Sequence, residues 1–122
     1  MEEKKCSCKS AGTLIFPCSG CADVGELADK AARKMSREGK AKMYCLAGIG
    51  AKVSGMVESA KASERIIALD GCIVSCAKKI LEQAGFSPEA YNLKDFGIEK
   101  GKAEISDLAI DGVISRIPEC KQ

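Results

Sequence analysis

The chain contains no histidine. That absence removes Ser-His-Asp and Cys-His catalytic arrangements and every metal site that mixes imidazole with thiolate. A metal would have to be held by sulfur, with carboxylate or water supplying any remaining donor. Aromatic residues are only 4% of the 122, and 19 basic against 17 acidic side chains leave a net charge of +2 with no basic stripe. Both phosphate contacts and base stacking lack their residues, so no nucleic-acid partner is expected. No apolar run reaches the roughly 20 residues of a membrane span. Met1-Glu2-Glu3-Lys4-Lys5 also lacks the apolar segment of an export signal. The expectation is a cytoplasmic protein with no membrane partner.

What is present is a hydrophobic content of 46%, a charged content of 30% and eight cysteines. The length suits one globular domain with a genuine core. Eight thiols in a reducing compartment point to metal binding or redox chemistry rather than to a disulfide framework.

Along the chain, residues 1–12 read as a flexible N-terminal segment, and 13–122 as one domain. Thr13-Leu14-Ile15-Phe16-Pro17 is an apolar run without alternation, as in a strand covered on both faces. It ends at Pro17-Cys18-Ser19-Gly20-Cys21 and leads into a helix over 22–38, stopped by Gly39. A second strand is expected over 41–46, followed by the glycine turn Gly48-Ile49-Gly50 and a helix over 52–62 with Val53, Met56, Val57 and Ala60 on its apolar face. Arg65-Ile66-Ile67-Ala68-Leu69 is the third strand. It turns at Asp70-Gly71 into a helix carrying Cys72 and Cys76, four apart and so on one face. A short fourth strand over 91–93 and a last helix over 105–117 complete the pattern. Alternating strands and helices predict an α/β fold with a small, Rossmann-like parallel sheet and right-handed crossovers. A strand order of 2-1-3-4 would set the C-terminal ends of the first three strands side by side, where ligands bind in open sheets.

All three of those ends carry thiols: Cys18 and Cys21, then Cys45, then Cys72 and Cys76. Buried cysteines acting as small hydrophobes would suit Cys45 but not the pairs in turns. Four thiolates suit zinc in tetrahedral geometry. Cys18, Cys45, Cys72 and Cys76 form one set, and Cys21 can replace Cys45 in another. An iron–sulfur cluster takes the same donors. Cys18-Ser19-Gly20-Cys21, at the start of a helix, alternatively suits thiol–disulfide exchange.

The glycine turn meets neither the dinucleotide nor the Walker pattern. No cysteine has an arginine six positions on to clamp a phosphate; Val24, Ala51 and Lys78 stand there. Cys6, Cys8 and Cys120 read as surface thiols, with a second metal as the alternative for the N-terminal pair. Asp23 and Glu26 read as helix-dipole partners. Asp70 reads as an acceptor for amides of its own turn.

Phe16-Pro17-Cys18-Ser19-Gly20, Asp23-Val24-Gly25, Tyr44-Cys45-Leu46-Ala47-Gly48-Ile49-Gly50 and Asp70-Gly71-Cys72 with Cys76 resemble the DGC-domain family. These are small prokaryotic proteins generally described as zinc-binding. The resemblance covers about residues 13–86 and leaves the segment after Pro88 outside its blocks. It implies a metal held by Cys18, Cys45, Cys72 and Cys76, with Cys21 more variable. The reading is therefore a metal-binding protein, zinc first, acting in metal or sulfur handling or in regulation. The alternative is a thiol-based redox or sulfur-transfer enzyme using Cys18 or Cys72, or an iron–sulfur protein.

Overall fold

Thr13–Pro17 forms β1, with every residue buried. In this computed structural model, which describes residues 12–119, β1 lies inside a four-stranded parallel sheet. On one side it pairs with β3 (Arg65–Asp70), from Thr13 opposite Arg65 to Pro17 opposite Leu69. On the other it pairs with the two-residue β2, Lys42–Met43. β4 (Glu89–Asn92) lies beyond β3, so the order is β2-β1-β3-β4, as expected. Residues 1–11, with Cys6 and Cys8, and residues 120–122, with Cys120, lie outside the described residues.

The strand pleat sends alternate residues into two apolar layers. Ile15, Ile67 and Leu69 pack with α1 (Asp23–Arg37) and α5 (Asp107–Ser115). Leu14, Phe16 and Ala68 pack on the other face with α2 (Leu46–Gly50), α3 (Ser54–Lys61) and α4 (Cys76–Gln83). Ala28, Ala31 and Ala32 are fully buried, which lets α1 lie close to the strands. The two layers explain why β1 and β3 show no hydrophobic alternation.

At the N-terminal edge of the sheet, the buried Arg65 is a hub. Its Nε and Nη2 donate to the two carboxylate oxygens of Glu89 at 2.9 Å each. Nη1 and Nη2 also donate to the carbonyls of Glu119 and Pro118, each at 2.8 Å. The end of the described chain is thereby held against β3 and β4.

Several local expectations change. The strand expected over 41–46 is shorter, because Cys45 leaves the sheet to cap α2. The glycine turn is itself the one-turn helix α2, and Gly48 lies directly against the Met56 side chain. The helix expected over 52–62 starts later, with Val53 as an exposed cap residue rather than part of an apolar face. The fourth strand comes two residues earlier than expected, because Asn92 caps a single 3-10 turn, Leu93–Phe96. The last helix is trimmed to its Ser106 cap, whose Oγ accepts from Ala109 N. Among the described residues, no helix is long and apolar enough to cross a membrane.

Candidate functional site at the C-terminal edge of the sheet

Three loops at the C-terminal edge carry the five predicted ligands. In the first, Cys18 N donates to Leu69 O at 3.0 Å, extending the β1–β3 ladder by one residue. Cys18 is half-buried and touches both apolar layers. Ser19 then takes a left-handed φ of 52°, and its hydroxyl donates to Asp29 at 2.6 Å. The loop folds back so tightly that a Cβ on Gly25 would come within 2.5–2.7 Å of the Gly20 backbone. A side chain at 25 would therefore expel the loop from the first turn of α1. Cys21 is exposed.

Asp23 does more than complement the α1 dipole. Its carboxylate accepts from Gly101 N and Ala103 N, each at 2.9 Å, and from Val24 N at 2.8 Å. The Gly101 and Ala103 amides hold this carboxyl below the usual carboxylate range. A distant loop is thus pinned beside the first thiol-bearing loop.

In the second loop, Tyr44 sets its ring edge-on to Phe16, with centroids 5.8 Å apart. Cys45 is exposed, and its Sγ accepts from Gly48 N at 3.3 Å. The thiol takes the capping role that serine or aspartate usually fills.

The third loop is longer than the sequence suggested. Residues 71–75 separate β3 from α4, so Cys72 is not on the helix and Cys76 is its first residue. The expected shared helical face does not form. The reason is Asp70, only 2% exposed, which reaches past its own turn to accept from Ala77 N at 2.7 Å and Lys78 N at 3.0 Å. Its carboxylate occupies the helix N-terminus, and burial pushes its pKa up. Ser75, at a left-handed φ of 56°, delays the helix start. Gly71 is required by contact: a Cβ there would come within 2.7–2.8 Å of the Val24 backbone. Cys72 is half-buried and packs on the α1–α5 layer. Asn92, at the end of β4, braces the loop by donating to Cys72 O at 2.6 Å and Ser75 Oγ at 3.2 Å. Ile73 and Val74 point outward, 70% and 48% exposed.

The fold thus brings Cys18, Cys21, Cys45, Cys72 and Cys76 to one edge on neighbouring loops. Among the described residues, however, no group of three or more cysteine, aspartate or glutamate side chains lies close enough to hold a metal ion. The thiols are neighbours without forming a cage. Sequence reading did not single out Asn92, although its place at the end of a strand on the ligand-binding edge was a usable signal. The Asp23 clamp had no local signal at all.

The family model described as DGC domain matches residues 14–117. The segment after Pro88 therefore lies within the domain, beyond the blocks that carried the resemblance. Among curated proteins, the anaerobic and virulence modulator AnvM of Pseudomonas aeruginosa is 36% identical over 92 residues, covering 75% of this chain and 70% of that protein. No solved structure gives a significant match.

Proposed function

The chain belongs to the DGC-domain family, and from that premise we propose a regulatory protein that works through the thiols at the C-terminal edge of its sheet, with zinc as their resident ion. The observation that supports this is the strand order β2-β1-β3-β4, which makes neighbours of the loops bearing Cys18, Cys45 and Cys72. The proposed ligands are Cys18, Cys45, Cys72 and Cys76, with Cys21 as substitute for Cys45. The donor chemistry fits a thiophilic ion, and the absence of histidine from the chain removes imidazole and leaves sulfur as the leading donor. The spacing of the described side chains does not fit a preformed site. Binding would have to draw the loops together, coupling metal uptake to local ordering. The regulatory role is carried over from the relative's description as a modulator.

Elemental analysis of the full chain, purified without added metal, tests this reading. About one equivalent of zinc is expected, with loss of the metal in Cys72→Ser. A colourless protein with well under one equivalent, even after zinc is supplied, would overturn it. Visible absorption from bound iron would instead identify an iron–sulfur cluster.

A second reading is a thiol-based redox or sulfur-transfer protein using Cys18 or Cys72. It is favoured by the same lack of a three-donor group among the described residues, which leaves individual thiols available to react. It predicts substoichiometric metal and one fast-reacting thiol at Cys18 or Cys72.

A further inference from the structure

An open groove of about 480 Å³ runs between the C-terminal half of α1 and the segment following β2, lined by Arg33, Ser36, Arg37, Met43, Tyr44 and Cys45. Its two charged side chains are both guanidinium groups, and no carboxylate lines it. Arg33 and Arg37 stand one helical turn apart on α1 and so project from the same face. Arg33 spends its Nε on Asp29 at 2.6 Å, leaving four further N–H donors. Arg37 has no hydrogen-bond or ion-pair partner among the described residues. Ser36 is occupied, its Oγ accepting from Met43 N at 3.1 Å. The groove therefore offers one unpaired guanidinium, Arg37, and a second, Arg33, already paired with Asp29 but with donors to spare, on one wall, and an exposed thiol at its rim. Guanidinium forks match carboxylates, and Met43 and Tyr44 add apolar surface.

From this juxtaposition we infer that the groove receives a small carboxylate-bearing disulfide and that Cys45 exchanges with it. Carboxylates of the disulfide pair with Arg33 and Arg37, which sets one of its sulfurs against Cys45 Sγ. Cys45, as thiolate, attacks that sulfur; a new S–S bond forms and the original one breaks. The departing half leaves as a thiolate and takes up the proton that Cys45 released. Cys45 is oxidised to the disulfide level, half of the incoming molecule is reduced to a thiol, and no other oxidant enters. This inference stands on the groove and needs Cys45 free of metal, so it is compatible with zinc held by the set in which Cys21 replaces Cys45.

The test treats the reduced, metal-free full chain with glutathione disulfide, which is anionic, and in parallel with cystamine, a cationic disulfide. Adducts are located by peptide mass spectrometry. The chain's net charge of +2 favours the anion at every thiol, so the quantity read is the anion-to-cation rate ratio at Cys45 relative to the same ratio at the exposed Cys21 and Cys76. A relative ratio of roughly three to ten is expected, because Arg37 is unpaired while the Arg33 charge is partly offset by Asp29. It should fall to about one in Arg33→Ala/Arg37→Ala and survive in Arg33→Lys/Arg37→Lys. Circular dichroism would check that both variants keep the fold, since alanine and lysine are good formers on an exposed helix face. A relative ratio near one in the parent chain would overturn the inference. So would a preference that persists after both arginines are removed.

Discussion

Asp70 caps a helix that starts six residues after it, a job usually done by the residue next to the helix. Its carboxylate is buried, and it accepts hydrogen bonds from the Ala77 and Lys78 amides. Burial raises the pKa, while the two amides act against that shift without cancelling it. The folded chain thus binds this proton more tightly than the unfolded one. Stability contributed by Asp70 is greatest at acid pH and is lost as pH rises through the elevated folded value. Asparagine keeps the shape and one acceptor but neither titrates nor caps both amides. Asp70→Asn should cost about 1–2 kcal/mol. In urea denaturation the deficit should be larger at pH 3 than at pH 7. A deficit that grows with pH would show that the folded carboxyl titrates below its ordinary range instead.

Among the elements, α1 organises the edge by holding two loops at its N-terminus. The Gly101 and Ala103 amides keep the Asp23 carboxyl below its ordinary range, so the linkage has the opposite sign. The stability it supplies is present above the usual carboxylate range and disappears as pH falls through the depressed value. Asp23→Asn should speed amide exchange at residues 101 and 103 several-fold at neutral pH, and variant and parent should converge in acid. Hydrogen exchange followed by mass spectrometry or NMR reads this directly. The contrast between these two aspartates shows what was legible beforehand. Strands β1 and β3, and the sheet order, could be read because burial on both faces leaves an unbroken apolar run in the chain itself. The placement of Cys72 on a helix failed because four-residue spacing is a local signal, whereas Asp70 and the left-handed Ser75 decide where α4 begins. Asp23 looked like a simple dipole partner because two of the three amides it binds lie 78 and 80 residues away. The thiol loops were placed correctly at one edge, yet their side-chain spacing depends on loop paths that no period in the sequence records.

For the whole molecule, the two ends of the sheet have different chemistry. The N-terminal end is closed by Arg65, whose side chain is only 4% exposed and whose bonds join β3, β4 and the residues after α5. Arg65→Ala should destabilise by about 3–5 kcal/mol, since Glu89 and two carbonyls lose their donor. Lysine should recover little, because a point charge cannot reproduce the fork. Thermal and urea denaturation would measure both variants. The opposite end carries the thiols, and there Cys18 rests against both sides of the sheet at once. Half-buried there, its side chain keeps part of its surface open to solvent. A small thiol reagent should therefore label Cys18 in the native state more slowly than the exposed Cys21 and Cys76, and mild denaturant should close that gap.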